Sequence, residues 1–161
     1  MNKRQLGNTG ITVSEVAFGG VEIGMPYGIG VESAADMLTE AEAIQLLQAA
    51  LHAGINFFDT ARQYGQSEAI MGKAFAGKRN EVVIATKCRH LGHEQAPLQD
   101  VIEQSLAESL AALQTDCVDI YMLHDSDPKI IAHPDVISKF AELKQIGRAV
   151  QQECRDRYRM P

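Results

Sequence analysis

Short apolar runs alternate with longer amphipathic segments along most of the chain, and this rhythm limits the folds that it can adopt. The apolar runs are too short to form independent helices, and they cover residues 15–18, 55–58, 82–86 and 118–123. The amphipathic segments place their apolar residues on one helical face, and they cover residues 39–52, 67–75, 101–113 and 134–146. Strands that alternate with helices in this way are typical of βαβ units with a parallel sheet. The sequence therefore predicts an α/β fold.

Local signals at the ends of these segments support the same interpretation. Thr39 and Glu42 have the spacing of a capping box at the start of the first helix, and Gly147 is placed to end the last one. Ahead of the first strand, residues 4–6 and 11–13 flank a turn-forming segment that contains two glycines. This arrangement predicts a small N-terminal β-hairpin.

Two architectures satisfy the alternation of strands and helices, namely a doubly wound sheet and a (β/α)8 barrel. A complete barrel typically needs about 250 residues, whereas this chain has 161 and shows four βα units. After Gly147 the sequence shows no apolar run that resembles a further strand, and it becomes rich in arginine. We therefore divide the chain into residues 1–147 and an atypical tail, 148–161, for which we predict no side that faces the core.

Composition argues against several classes of function. A net charge of −6 disfavours nonspecific nucleic-acid binding, since the only basic run is the short series Arg155, Arg157 and Arg159. Three cysteines at irregular spacing favour reduced thiols over a disulfide framework. The N-terminus has no apolar stretch typical of a signal peptide, and no run reaches the roughly 18 apolar residues of a membrane span. We expect a cytoplasmic protein that does not contact membranes.

Polar side chains follow three of the predicted strands at the points where those strands end. Asp59, Lys87 and His124 occupy these positions, and Tyr64 follows Asp59 on the adjoining loop. In a barrel the carboxyl ends of the strands share one rim, where barrel enzymes place their active sites. Taken singly, each residue has a structural explanation as a cap, a solvated lysine, a rim tyrosine or a hydrogen-bonded histidine. Together they suggest proton transfer, with the Tyr64 hydroxyl as a general acid beside a cation.

Five motifs in this order and spacing resemble the aldo-keto reductase family over about residues 3–147. They are Arg4 to Gly10, Phe18-Gly19-Gly20, Phe58 to Ala61 with Tyr64-Gly65, Thr86-Lys87 and Leu123-His124. An ordered set of motifs is far more specific than a single one. The resemblance implies an incomplete (β/α)8 TIM barrel of about the first four βα units, preceded by the N-terminal β-hairpin.

The same resemblance implies a role for each candidate residue. Tyr64 would donate a proton to the substrate carbonyl, and Lys87 would make its hydroxyl a stronger acid. Asp59 would pair with Lys87, and His124 would orient the carbonyl. Hydride would come from NADPH, with NADH as the alternative, and Gly20, Val21 and Asp59 would lie near the nicotinamide and its ribose. The substrate would be a small carbonyl compound or a sugar, because Asp125 after the histidine is similar to the aldose dehydrogenase branch of the family.

The family's later strands and loops, which hold most of the cofactor, have no counterpart in this sequence. The alternative function is therefore a truncated, catalytically inactive half-barrel that acts at most as a binding or assembly partner. We expect a stop codon or a shifted reading frame as the origin of such a chain. A half-barrel would leave two strand edges unpaired and the inner face of the sheet uncovered, which predicts self-association through the open edges.

Two weaker patterns are set aside. Gly28, Gly30 and Ser33 approximate a dinucleotide-binding fingerprint, but the third glycine is missing and no strand precedes them. Cys88, His90 and His93 have the residue types of a zinc site, but they fall in a loop without further ligands at zinc-site spacing. We therefore predict no metal.

Overall fold

The computed structural model of the chain describes residues 1–92, 96–125, 127–147 and 149–152. In these residues the strands form two sheets. Strand β1 (Lys3–Gln5) pairs antiparallel with β2 (Thr12–Ser14), which confirms the predicted hairpin. The second sheet has five parallel strands in the order of the chain. These strands are β3 (Ala17–Gly19), β4 (Phe57–Asp59), β5 (Val83–Lys87), β6 (Val118–Met122) and β7 (Ala149–Gln152).

The helices follow the strands in the predicted alternation. They are α1 (Val21–Gly24), α2 (Glu40–His52), α3 (Ser67–Ala74), α4 (Leu98–Leu113), α5 (Pro128–Ile131) and α6 (Pro134–Gln145), with short 3-10 helices at Ala34–Asp36 and Arg79–Glu81. The predicted capping box is confirmed, because the Thr39 hydroxyl accepts from the Glu42 N–H and the Glu42 carboxylate accepts from the Thr39 N–H. Gly147 follows α6 with a φ of 75°, which a glycine adopts without strain.

The larger core lies between the parallel sheet and the helices. Strand residues Phe58, Ile84 and Tyr121 are almost fully buried there. They pack in one cluster with helix residues that include Leu47, Met71, Ile102, Leu106 and Phe140. Since apolar burial is the main favourable term in folding, this layer fixes where each strand ends and hence where the polar side chains after the strands lie.

The other face of the sheet is covered by the N-terminal hairpin. Val83, Ala85 and Ile120 point to this face, and they are buried together with Val13 of β2. Asn56 fastens the hairpin to the sheet, since its side-chain oxygen accepts from the Ser14 N–H at 2.6 Å and its amide donates to the Thr12 carbonyl. The expectation of an uncovered inner face is therefore wrong at these positions, because the hairpin folds back over the amino ends of the strands.

Strand β7 corrects a second expectation. The chain was predicted to have no strand and no core-facing side after Gly147, but Ala149–Gln152 pairs in parallel with β6. Ala149 is buried at 3% exposure. Backbone pairing with β6 defines the strand, and its short apolar start, followed directly by Gln151 and Gln152, concealed it in the sequence. The arginine-rich segment 153–161 lies outside the described residues, and the domain boundary itself stays a prediction.

The strand order distinguishes between the two architectures. In a doubly wound sheet the order reverses at a switch point, whereas here each strand pairs with the next strand in the chain from β3 to β7. This is the order of a (β/α)8 barrel, so the predicted incomplete barrel is confirmed. No helix within the described ranges has the length and apolar character that crossing a membrane requires.

Candidate active site

The strand register brings the predicted polar residues to one rim of the sheet. Asp59 is the last residue of β4, Lys87 is the last residue of β5, and His124 comes two residues after β6 ends. Asp59 pairs in register with Ala85, and Lys87 pairs with Met122. The carboxyl ends of the three strands therefore lie side by side, as the sequence predicted.

Lys87 is the centre of the cluster. Its ammonium nitrogen lies 2.8 Å from both carboxylate oxygens of Asp59 and 3.0 Å from the Thr60 carbonyl. It also lies 3.3 Å from the hydroxyl oxygen of Tyr64. The Lys87 side chain is 16% exposed and the Asp59 side chain is 34% exposed. This charged pair is therefore partly shielded from water. A charge in such a place acts more strongly on its neighbours than it would in bulk water.

His124 completes the group on the other side of Tyr64. The two rings meet edge to face, with centroids 5.8 Å apart and an angle of 86°. Burial, the neighbouring His90 and the charge of Lys87 lower the pKa of His124. Among the described residues, the buried Nδ1 of His124 has no hydrogen-bond partner.

The loop that carries Tyr64 is held by a close approach between two backbones. The carbonyl oxygen of Gly24, at the end of α1, accepts from the Gln66 N–H at 2.9 Å. A Cβ atom added to Gly24 would lie 2.6 Å from the backbone nitrogen and from the Cβ of Ser67, and closer still to the Tyr64 carbonyl. Gly65 has a φ of 55°, and a side chain there would meet Gly24. Glycine at both positions lets α1 pack directly against the loop.

The predicted cofactor residues lie at the same rim. The Gly20 N–H donates to the Asp59 carbonyl at 2.8 Å, and Val21 begins α1 with a half-buried side chain. A Cβ on Gly20 would lie 2.5 Å from the Met71 side chain and 2.6 Å from the Ser67 hydroxyl. It would also lie 2.8 Å from the Asp59 carbonyl oxygen, a backbone atom of β4 that cannot rotate away, so the contact with β4 already favours glycine at position 20. Val21 and Asp59 are the members of this set whose side chains are partly exposed.

Two further residues next to this group were not among the predicted site residues. The ring of His90 stacks obliquely on that of His124 with centroids 4.5 Å apart, and its Nδ1 lies 3.1 Å from Asp125. The other oxygen of Asp125 accepts from the Leu91 N–H at 2.7 Å. The sequence marked Asp125 only as a likeness to the aldose dehydrogenase branch and His90 only as part of the zinc pattern, since their contact with each other depends on how the loops after β5 and β6 meet.

The patterns that were set aside take other places. Ser33 caps the 3-10 helix Ala34–Asp36, while Gly28 and Gly30 have positive φ in the loop after α1. The side chain of Cys88 is fully buried in the core. His93 lies outside the described residues, and within the described ranges no group of three or more histidine, cysteine or acidic side chains could hold a metal ion.

Comparison with known proteins gives a consistent result. The model of the aldo/keto reductase family matches residues 16–151. The chain is 34% identical over 154 residues to L-galactose dehydrogenase of Arabidopsis thaliana, an alignment that spans 90% of this chain and 45% of that protein. It is also 34% identical over 150 residues to 6-dehydroglucose reductase of Novosphingobium aromaticivorans, spanning 84% of this chain and 45% of that one.

A solved structure agrees with these alignments. Aldo-keto reductase AKR11C1 of Bacillus halodurans, in its holo form, superposes with a TM-score of 0.75 at 33% identity, covering 94% of this chain and 49% of that one. The chain thus spans about half the length of the relatives that it matches, 45% in both curated cases. The residues that match the family model, the strand order and the cluster of polar residues at the rim agree, and the chain belongs to the aldo/keto reductase family.

Proposed function

We propose that this chain carries the proton-transfer site of an NADP(H)-dependent oxidoreductase that reduces an aldehyde or ketone, or oxidises the corresponding alcohol or aldose. The observation that carries the proposal is the position of the Lys87 ammonium, which contacts both oxygens of Asp59 and lies 3.3 Å from the Tyr64 hydroxyl. Tyr64 acts as the general acid in reduction and as the general base in oxidation.

The surroundings of Tyr64 suit this role. As its hydroxyl gives up a proton, negative charge develops on the oxygen, and the nearby Lys87 ammonium stabilises that charge. Asp59 holds the ammonium in place through two hydrogen bonds. Burial and the neighbouring His90 and Lys87 lower the pKa of His124, which favours the neutral form of its ring. A neutral imidazole can donate one hydrogen bond to the carbonyl oxygen and orient it without adding a second positive charge next to Lys87.

The rim residues fit the nicotinamide end of the cofactor. Each carboxylate oxygen of Asp59 can accept a further hydrogen bond, such as one from a ribose hydroxyl. Val21 offers apolar surface next to it, and Gly20 keeps the backbone of α1 close to Asp59. When bound, the cofactor supplies the hydride for reduction. We infer NADPH, with NADH as the alternative, and most contacts to the rest of the cofactor would come from the later strands and loops of the family.

The substrate that we propose is a small carbonyl compound or a sugar. The names of two relatives, L-galactose dehydrogenase and 6-dehydroglucose reductase, support a sugar. The rim also offers several polar groups close together, since Asp125 and His90 lie directly beside His124. A polyhydroxylated substrate would match such a surface better than an apolar one.

Binding and turnover of NADPH test the proposal on the chain as it stands. Purified protein is titrated with NADPH, followed by nucleotide fluorescence, and then assayed with glyceraldehyde. Tyr64→Phe should retain binding and lose roughly a hundred- to ten-thousandfold in kcat, the usual contribution of a general acid. Tyr27→Phe, a change at a tyrosine that is 56% exposed on the loop after α1, is the matched control and should keep both properties.

The same titration separates the two functions under consideration. If the chain binds no NADPH and turns over no aldehyde, the half-barrel is inactive on its own, and the proposed activity fails for this chain.

Strands β3 and β7 are the edges of the described sheet, and we propose that copies of the chain associate through these edges. Analytical ultracentrifugation of the same sample checks this, since a compact monomer with cooperative unfolding would contradict association.

A further inference from the structure

A buried carboxylate lies behind the rim and takes no part in the chemistry described above. Glu68 on α3 is 2% exposed. Its Oε1 accepts a hydrogen bond of 2.7 Å from the Thr86 hydroxyl. Its Oε2 accepts from the guanidinium of Arg62, which forms an ion pair with it. Both partners are therefore fixed by one side chain in the protein interior.

Each partner of Glu68 is a close neighbour of a proposed catalytic residue. Thr86 directly precedes Lys87 in β5, and Arg62 lies two residues before Tyr64. The Arg62 N–H also donates to the Lys87 carbonyl at 3.1 Å. Glu68 thus joins the strand end that carries the ammonium to the loop that carries the hydroxyl.

Stability alone is a weak reason for this arrangement. Taking the Glu68 carboxylate out of water costs several kcal/mol, and an apolar residue of similar shape often serves a core as well or better, while the Arg62 side chain stays 24% exposed. Arg62 is held from a second side as well, because its Nε lies 3.7 Å from Glu108 on α4. These two carboxylates restrict the Arg62 side chain to one position. They therefore also restrict the Arg62 backbone, whose N–H is bonded to the Lys87 carbonyl.

We propose that Glu68, with Thr86 and Arg62, is a positioning unit that fixes the distance between the Lys87 ammonium and the Tyr64 hydroxyl. The inference rests on the proposed function, because it assigns these residues a purpose in that reaction. None of the three donates or accepts the proton that is transferred. They act through the backbone segments on which Lys87 and Tyr64 stand.

The test removes the Thr86 hydroxyl without changing the shape of the side chain. In Thr86→Val, Glu68 loses one of its two partners, and amide exchange measured by NMR at Arg62 and Tyr64 should become about tenfold faster, since one buried hydrogen bond is lost. Amides of α6, such as that of Ile137, should exchange as in the parent chain. Turnover of glyceraldehyde should fall about ten- to hundredfold in kcat with little change in KM, as for a small misplacement of reacting groups.

Three companion variants distinguish a local effect from a general loss of stability. Thr86→Ser restores the hydroxyl and should recover both exchange and kcat. Ser109→Ala removes a buried hydroxyl on α4 that has no hydrogen-bond partner among the described residues, and it should change neither. Glu68→Gln removes the charge and should reproduce the effect of Thr86→Val.

The possible outcomes are distinct. Uniformly faster exchange across the chain, with unchanged kcat once unfolded protein is allowed for, would mean a purely structural role and would overturn the inference. Unchanged exchange at Arg62 and Tyr64 would overturn it too. If the parent chain shows no turnover, the proposed function fails, but the local exchange at Arg62 and Tyr64 still decides whether Glu68 positions this loop.

Discussion

Replacing Gly24 by alanine should displace the loop that carries Tyr64. The new Cβ would lie 2.6 Å from the backbone nitrogen of Ser67, whereas ordinary contact begins at 3.4 Å, so backbone atoms must separate by 0.8 Å or more. Inserting a methyl group into such a site costs about 1–3 kcal/mol. The hydrogen bond from Gln66 to the Gly24 carbonyl weakens as well, adding about 1 kcal/mol. We therefore expect a loss of about 2–4 kcal/mol in the free energy of unfolding.

Urea denaturation followed by circular dichroism measures that loss, and two glycine variants calibrate it. Gly19→Ala adds a Cβ with nothing within 4 Å and should leave stability nearly unchanged. Gly72→Ala places a Cβ 2.5 Å from the Ala112 carbonyl between α3 and α4, so it should destabilise the chain similarly but leave the amide exchange of Tyr64 as it was. The reasoning would be refuted if Gly24→Ala were as stable as Gly19→Ala, or if Gly72→Ala disturbed Tyr64 equally.

Three further predictions concern other parts of the chain. Gln114→Gly should stabilise the protein by roughly 0.5–1 kcal/mol in urea denaturation, because Gln114 ends α4 with a φ of 54°; a lower urea midpoint would contradict this. Thr39→Ala should cost about 1 kcal/mol in the same assay, since it removes the capping box of α2, whereas Thr12→Ala at an exposed position of β2 serves as its control. The lowered pKa of His124 means that the folded state favours the neutral ring, so this contribution to stability is present above about pH 6.5 and is lost as the pH falls below it. The drop in urea midpoint between pH 7 and pH 5 should therefore be smaller in His124→Gln than in the parent chain, and equal drops would contradict the assignment.

The parts of the fold that the sequence could predict are those that depend on local pattern. Helix α2 begins after Thr39 as its capping box requires, and β5 and β6 match their apolar runs within a residue or so. The rim residues were also predictable, because the end of each strand is marked where apolar residues give way to Asp59 and Lys87. Parallel pairing places the carboxyl ends of neighbouring strands at the same edge of the sheet, so the residues that follow them lie close together.

The parts that escaped prediction depend on tertiary partners. Strand β7 is defined by pairing with β6 rather than by its own composition. Helix α1 has four residues, too few for a helical period to be recognised. The ion pair between Arg62 and Glu68, and the stacking of His90 on His124, join side chains whose meeting depends on the packing of loops. Residue type alone gives no sign that the Glu68 carboxylate is buried.

The consecutive order of the parallel strands bears on how the chain acquires its structure during synthesis. In the described sheet, every parallel pairing joins a strand to the one made just before it. Each new βα unit can therefore add to a surface that already exists as it leaves the ribosome, without waiting for a distant segment. Contacts of this kind keep loop-closure costs low and favour rapid folding for a sheet of parallel strands. The hairpin is made first, and it can cover the inner face of β4, β5 and β6 as each of them is made.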